Sequence, residues 1–306
     1  MEVVSDLIKL LIFPGGLFVL FLGLAYSWLE RKGIARLQNR VGPRWFQPLA
    51  DAIKLLAKEE VVPDGVTPFF FVALPILALG GALTAALYVP MAGLAPSHSF
   101  AGDLIVTVYL LGLLTLTMGL AGANTRSRFS LLAATRAFTQ LFAYEAPFLL
   151  ALLGPAIVAG SWQIGEVLAY GAEHAWFLFL QPLGFGVAII GLMGKLEMPP
   201  FDAPEAETEI VAGPLTEYSG RGLALFHLAK KVELVVGLTL VAAFYLGGIA
   251  SPMAFLGKTV ALLLVMTGLQ ALLTRLRIDQ TVGLWWRYGA LLVLVQWMLL
   301  IVTRVA

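Results

Sequence analysis

Apolar stretches of about 20 residues recur along this chain, and they restrict its fold more than any other feature. A helix needs about 20 residues to cross a hydrocarbon core of about 30 Å. Hydrophobic residues make up 59% of the 306 residues and charged residues only 13%. We therefore predict an all-α, polytopic membrane protein that forms one transmembrane domain over residues 1–306. Its eight predicted spans are roughly 7–28, 68–90, 103–123, 138–160, 175–194, 223–246, 253–274 and 284–303.

Lysine and arginine residues concentrate in the connections between spans 1 and 2, 3 and 4, 5 and 6, and 7 and 8. The positive-inside rule places these four connections in the cytoplasm and both termini outside. The same connections hold most of the acids, and such a mixed surface favours docking of a soluble partner over binding of anionic lipid alone. The candidate docking residues are Arg36, Arg40, Arg44, Arg126, Arg128, Arg136, Arg221, Arg275, Arg277 and Asp279.

The first of these connections contains an amphipathic segment at about residues 47–59. Leu49, Ile53 and Leu56 recur at helical spacing, and charged residues fall on the opposite face. At about 18 Å the helix is too short to span, so we predict that it lies in the membrane interface. It either only connects spans or forms the lip of a lateral opening. We expect its apolar residues to be buried against spans 1 and 6, around a lipophilic pocket.

Six acids follow the fifth predicted span, in a connection of about residues 195–221. Asp202 and Glu205 have capping-box spacing, and Gly213-Pro214 would stop a helix, so we predict a helix of about ten residues. Capping and the helix dipole account for those two acids but not for the others. The connection is either a solvated acidic surface or part of an ion path. Its acids are Glu197, Asp202, Glu205, Glu207, Glu209 and Glu217.

Predicted spans 4 and 6 contain four charged residues, which desolvation makes costly and which therefore suggest a function. Glu145 lies in span 4, where Arg136 or another buried cation could neutralise it for structure alone, and Pro147 could open a hydrated break. Span 6 carries Lys230, Lys231 and Glu233. Glu233 is three residues after Lys230, which predicts an ion pair within the helix and leaves Lys231 to another carboxylate or to solvent. We predict that these four residues and the six acids form an ion path.

Other kinds of chemistry find no support in the sequence. The chain has no cysteine, which excludes disulfides and thiolate ligands to zinc or iron–sulfur clusters. No phosphate-binding loop, histidine-rich metal spacing or nucleophile elbow occurs. No basic stripe suggests a nucleic-acid partner. We therefore expect no metal or redox centre in this chain, and any redox chemistry belongs to a partner.

Several strings resemble NADH dehydrogenase subunit 1, which is also called the H subunit of complex I. The same family occurs in energy-converting hydrogenases, formate hydrogenlyase, and archaeal membrane-bound hydrogenase or sulfane reductase complexes. The strings are Glu30-Arg31-Lys32, ARLQNRVGPRWFQPLADAIKLLAKE from Ala35, SRFSLLAATRAFTQLFAYEAPF from Ser127, PPFDAPEAETEIVAGPLTEYSG from Pro199, and RLRIDQ from Arg275.

The resemblance implies an eight-helix, non-catalytic subunit in a prokaryotic cell membrane. Its cytoplasmic connections would clasp a large catalytic subunit and a small subunit with the terminal iron–sulfur cluster, next to antiporter-like membrane subunits and lipid. Glu145 and the acidic connection would line a polar funnel for ions. Arg36, Arg40 and the amphipathic helix would match the wall and mouth of a quinone chamber, in enzymes that use quinone.

Two departures from the quinone-reducing branch resemble the hydrogenase-type branch: the element Gly42 to Phe46 is short, and Pro214 replaces a histidine-containing string. Lys230 also stands where quinone enzymes often have an acid, which argues further against a conventional quinone site. We therefore expect no bound quinone, with an iron–sulfur cluster and possible nickel–iron site in partners, coupled to movement of H⁺ or Na⁺. The alternatives are the quinone-binding subunit of NADH:quinone oxidoreductase (complex I), a free-standing secondary ion transporter, and a passive anchor.

Overall fold

The computed structural model describes residues 8–174 and 176–305, apart from the side chains of 303–305. Within these ranges the regular structure is helical, with no strand. Proline occupies a first-turn position of several helices, where its missing N–H costs nothing. The helices are α1 (Gly16–Leu37), α2 (Gln47–Ala57), α3 (Pro68–Tyr88), α4 (Asp103–Asn124), α5 (Arg128–Ala159), α6 (Ile164–Glu173), α7 (Phe177–Leu180), α8 (Pro182–Lys195), α9 (Glu207–Ile210), α10 (Gly220–Tyr245), α11 (Pro252–Leu272), α12 (Ile278–Leu284) and α13 (Ala290–Val305), with a π turn at Trp285–Gly289.

Six segments of the described ranges are long and apolar enough to cross a membrane: Ile8–Leu37, Pro68–Tyr88, Asp103–Asn124, Arg128–Ala159, Pro252–Leu272 and Ile278–Val302. They overlap six of the eight predicted spans. The other two predicted spans do not meet these criteria, because one helix is too short and the other carries too many charges. Helix α8 has 14 residues and extends about 21 Å, while α10 has 26 residues but includes Lys230, Lys231 and Glu233. A count of eight therefore remains a prediction.

The fourth and fifth predicted spans have different bounds in the structure. Helix α5 begins at Arg128, ten residues before the expected start, so Arg128 and Arg136 belong to a helix and not to a loop. It continues through Pro147 without the expected break, as membrane helices can when neighbouring elements satisfy the freed carbonyl. The fifth region consists of α7 and α8, separated at Gln181. Its expected first residue, 175, and the start of the first span lie outside the described residues.

Helix α10 lies at the centre of the fold, in contact with α1, α2, α3 and α11. Every residue from Val232 to Tyr245 is buried. A helix that is covered on all sides must satisfy any charge it carries through neighbouring elements, because water cannot reach it. The position of α10 therefore determines which side chains Lys230 and Glu233 can meet.

The amphipathic helix is confirmed as α2, at Gln47–Ala57, but the expected burial of its apolar face is wrong. Leu49, Ile53 and Leu56 are 37%, 58% and 43% exposed. The opposite face, with Asp51 and Lys54, lines a cavity of about 320 Å³ against α1 and α10. The apolar residues therefore point outward, where a membrane interface would cover them.

The first helix and the central helix approach each other at Gly23. A Cβ atom at Gly23 would lie 2.5 Å from the carbonyl oxygen of Lys231, which is backbone and cannot rotate away. We predict that Gly23→Ala destabilises the protein by about 1–3 kcal/mol through overpacking. Gly80→Ala on α3 is the matched control, since nothing lies within 4 Å of its added Cβ. Thermal unfolding in detergent measures both; equal midpoints would contradict the close approach.

Candidate functional site

A buried ion pair joins α5 to the last turn of α8. The Lys195 ammonium lies 2.9 Å from Oε2 and 3.3 Å from Oε1 of Glu145. The Lys195 side chain is 0% exposed and that of Glu145 is 19% exposed. Each charge makes the burial of the other tolerable, because an isolated ion in an apolar interior costs several kcal/mol. Lys195, and not Arg136, is therefore the partner of Glu145.

Lys195 is absent from the predicted site residues because sequence reasoning assigned it to the positive flank of a span. Lysines at such flanks ordinarily extend to the interface, so its pattern alone did not mark it. Two features of the sequence could have marked it. Lys195 stands between a small and an apolar residue, Gly194 and Leu196, and no acid lies one turn before it on α8. A lysine so placed must find a carboxylate on another helix if its chain turns inward.

Small and aromatic residues surround this pair. A Cβ atom at Gly112 of α4 would lie 3.1 Å from Oε1 of Glu145 and 3.6 Å from Nζ of Lys195, so glycine leaves the pair its space. The Lys195 ammonium lies 5.6 Å from the ring centres of both Tyr144 and Phe148. Aromatic faces attract such a cation when water is excluded. The pair is therefore held in a defined, largely dry environment.

Lys230 forms the centre of a second cluster. Its ammonium lies 2.8 Å from Oε2 of Glu197 and 2.6 Å from Oε1 of Glu205. The predicted pair of Lys230 with Glu233 inside α10 is wrong, because Lys230 turns toward the acidic connection. Glu197 is 5% exposed and would otherwise be an unpaired buried carboxylate, so this interaction outweighs the local one.

Glu233 is buried on α10, three residues after Lys230. It is 1% exposed, and its Oε1 has no hydrogen-bond partner among the described residues. Its carboxyl interacts electrostatically with Lys195 and Lys230, and also with Glu197 and Glu145. Charge at either cluster therefore acts on the Glu233 carboxyl.

Lys231 belongs to a different environment. It lines the cavity between α1, α2 and α10, and its main electrostatic attraction is to Glu30 of α1. No ion pair joins Lys231 to Glu233 in the described part of the chain, so Glu233 does not neutralise this lysine. Adjacent residues on a helix point about 100° apart, so Lys231 cannot share the direction of Lys230.

The acidic connection contains short turns and not the predicted ten-residue helix. Its elements are Ala203–Glu205, Glu207–Ile210 and Gly213–Leu215, and Val211 adopts a positive φ of 60° between the last two. Asp202 does not cap, because Arg275 binds its two carboxylate oxygens at 2.8 and 2.5 Å. Glu205 likewise binds Lys230. The acids that would have stabilised a helix N-terminus are bound by cations from other elements.

The remaining acids face away from the clusters. Glu207 and Glu209 are exposed, and Glu217 is half-buried. Arg136 donates to Glu209 at 2.7 Å, and this hydrogen bond holds the pKa of the Glu209 carboxyl below its usual range. Within the described residues, Glu207 and Glu217 form no ion pair within 4 Å. The structure thus brings Glu145, Glu197, Glu205, Lys230 and Glu233 together and leaves these three acids outside.

The predicted docking residues lie at the ends of helices and in connections. All are exposed except Arg136, which is half-buried. Arg136, Arg275 and Arg277 form ion pairs with Glu209, Asp202 and Asp279 respectively. The exposed Arg277–Asp279 pair contributes little to stability, because water screens it. The three arginines border a surface cavity of about 530 Å³; a docking role for this surface remains a prediction.

Sequence comparison identifies a relationship that extends over nearly the whole chain. The NADH dehydrogenase family model matches residues 8–301. The chain belongs to the NADH dehydrogenase subunit 1 family. The H subunit of NADH-quinone oxidoreductase from Carboxydothermus hydrogenoformans is 33% identical, covering 90% of this chain and 81% of the relative. Its counterpart from Thermomicrobium roseum is 34% identical, covering 85% of each chain.

A solved structure shares the fold of this family member. A chain of the membrane-bound sulfane sulfur reductase, an archaeal respiratory membrane complex, superposes with a TM-score of 0.83. The match covers 92% of this chain and 95% of that chain at 23% identity. The predicted family is confirmed, and with the apolar helices it makes this chain a membrane protein whose relatives are subunits of multi-subunit respiratory complexes.

The Lys195–Glu145 pair allows a test that distinguishes the cost of an unpaired buried charge from the loss of the two side chains. Lys195→Met alone leaves a carboxylate without its partner and should cost about 3–5 kcal/mol. The double variant Lys195→Met with Glu145→Gln should recover most of that loss, because no charge remains unpaired. Unfolding in detergent measures both, with the exposed pair Arg277→Gln and Asp279→Asn as the control, expected to cost at most about 1 kcal/mol. No recovery in the double variant would contradict the pairing.

Proposed function

We propose that this chain is a non-catalytic membrane subunit of an ion-translocating respiratory oxidoreductase. It couples electron transfer in a docked iron–sulfur subunit and a large catalytic subunit to movement of H⁺ or Na⁺. One observation carries the proposal: Glu233 interacts with both the Lys230 cluster and the Lys195–Glu145 pair, so charges at the acidic connection and at the middle of α5 are linked.

The mechanism follows from the order of these groups. A change of charge or position at the partner's redox site would alter the proton or cation affinity of Glu205 and Glu197, which Lys230 joins. Two unit charges 4 Å apart interact by about 4 kcal/mol at an effective dielectric constant of about 20. Such a change would act on Glu233 and, through Glu233, on the Lys195–Glu145 pair. By reciprocity, ion binding at Glu145 would act back on the redox site.

We assign the host complex to the energy-converting hydrogenase or sulfane reductase type. Support comes from the short Gly42 to Phe46 element, from Pro214, and from Lys230, which here binds two carboxylates. In this assignment the partners hold the iron–sulfur cluster and a possible nickel–iron site, and antiporter-like subunits and lipid complete the surroundings. The complex lies in a prokaryotic cell membrane, with both termini of this chain outside.

The quinone-binding membrane subunit of complex I is the second candidate. The cavity between α1, α2 and α10 lies where the resemblance would put a quinone chamber, and the relatives named above belong to NADH-quinone oxidoreductases. However, the charged residues of this lining favour an anionic ligand over a neutral quinone ring. Arg31, Lys54 and Lys231 border the cavity against one acid, Asp51, and suit the anionic head group of a lipid or a detergent better.

The assigned coupling predicts a specific loss in the double variant Glu145→Gln with Lys195→Met. Its charges are removed in pairs, so the complex should assemble, while ions moved per electron should fall by about tenfold or more. Inverted membrane vesicles, energised with the donor that they oxidise, reduced ferredoxin or NADH, report this ratio through a potential-sensitive dye. The matched control is the exposed double variant Arg277→Gln with Asp279→Asn. Wild-type coupling without these two charges would reduce them to a structural pair.

The assignment of the branch predicts that no quinone copurifies. Solvent extraction of the complex isolated in mild detergent, followed by mass spectrometry, should detect lipid or detergent but less than about 0.1 quinone per complex, a limit set well below one-site binding. Activity should not depend on added quinone. A stoichiometric quinone, or quinone-dependent turnover, would replace this assignment with the complex I type.

A further inference from the structure

The last long helix contains a π turn, Trp285–Gly289, between α12 and α13. A π turn inserts one residue into an α-helix and shifts the direction of the side chains around it, and such turns frequently occur at functional sites. Here it directs Trp285 inward, where it is 1% exposed. Trp286 and Tyr288 of the same turn are 56% and 63% exposed.

The Trp285 indole packs against the segments that carry the buried ion pair. A Cβ atom at Gly194 would lie 3.4 Å from Cζ2 of Trp285 and 3.4 Å from Cδ1 of Tyr144. Gly194 precedes Lys195, and Tyr144 precedes Glu145. The indole therefore fixes the backbone directly beside Lys195 and contacts the same small surface as the residue before Glu145.

The position of Gly289 shows how closely the indole is enclosed. A Cβ atom at Gly289, at the end of the π turn, would lie 2.8 Å from Cε3 of Trp285 and 3.5 Å from Cβ of Pro147. A side chain at Gly289 would thus displace the indole. Pro147 is two residues after Glu145, so the π turn packs on the Glu145 segment of α5 at the position where Gly289 adjoins the indole.

Trp285 also contacts the acidic connection. Its ring centre lies 5.4 Å from that of Phe201, at an interplanar angle of 40°. From α5, Gln140 donates to the carbonyl oxygens of Phe201 and Gly194, at 2.7 and 3.1 Å. The backbone at Phe201 and the backbone beside Lys195 are therefore held together by Gln140, and Trp285 packs on both.

We propose that Trp285 is a positioning residue for ion translocation. It holds Lys195 and Glu145 at ion-pair distance and connects their position to that of the acidic connection through Phe201. The energy of a poorly solvated pair depends on the separation of its charges, so a small displacement of the indole changes the strength of the Lys195–Glu145 interaction. This inference rests on the function proposed above, and it adds packing to the electrostatic link through Glu233.

Gly289→Ala tests the inference without removing any interacting group. In vesicles that contain the assembled complex, the pH midpoint of redox-driven ion movement should shift by about one unit, a tenfold change in proton affinity. The rate of electron transfer without a gradient should stay within about twofold, because the change lies away from the partner surface. Gly283→Ala on α12 is the matched control, since nothing lies within 4 Å of its added Cβ. Assembled Gly289→Ala with a wild-type midpoint would overturn the inference.

Substitution of the indole supplies a second, independent measurement. Trp285→Leu should shift the midpoint and Trp285→Phe should restore most of it, whereas Trp286→Leu on the exposed side should have no effect. Loss of assembly in both Gly289→Ala and Trp285→Phe would assign Trp285 a purely structural role and overturn the inference. If the double variant of Glu145 and Lys195 keeps wild-type coupling, the proposed function itself fails. If the double variant loses coupling while the Gly289 and Trp285 variants keep the wild-type pH midpoint, only the proposed role of Trp285 fails.

Discussion

Pairing of charges inside an apolar helix bundle is the interaction on which the rest of this structure depends. Lys195 and Lys230 are each held by carboxylates from other elements. The linked groups comprise the carboxyls of Glu145, Glu197, Glu205 and Glu233 and these two ammonium groups. Carboxyls therefore outnumber lysines in this group. Such an imbalance suits the proposed uptake and release of an ion.

Close helix packing makes these pairs possible. Gly23 lets α1 approach the backbone of α10, and Gly112 leaves space on α4 for the Glu145 carboxylate. Larger residues at these positions would push the helices apart and lengthen the ion pairs. Membrane helices commonly use small residues in this way, because apolar side chains alone gain little from associating in lipid.

The acidic connection is held in place by cations from three different elements. Arg275 binds Asp202, Arg136 binds Glu209, and Lys230 binds Glu205. Movement of this segment would therefore disturb both the predicted partner surface and the buried cluster. The contact between Phe201 and Trp285 links the acidic connection to the surroundings of the Lys195–Glu145 pair, and the charge of Glu233 provides a second link. A protein that transmits redox events to an ion path needs such a physical link.

The sequence by itself determined the helical class, most span positions, the amphipathic helix and the burial of a charge at Glu145. These depend on hydropathy and periodicity, which act over one or two turns. Only the tertiary structure decided that Lys195 meets Glu145, that Lys230 binds Glu197 and Glu205 in place of Glu233, and that the acidic connection forms turns. The reason is physical: a buried charge binds whichever opposite charge the packing of distant elements brings within about 4 Å, and local spacing contains no record of that packing.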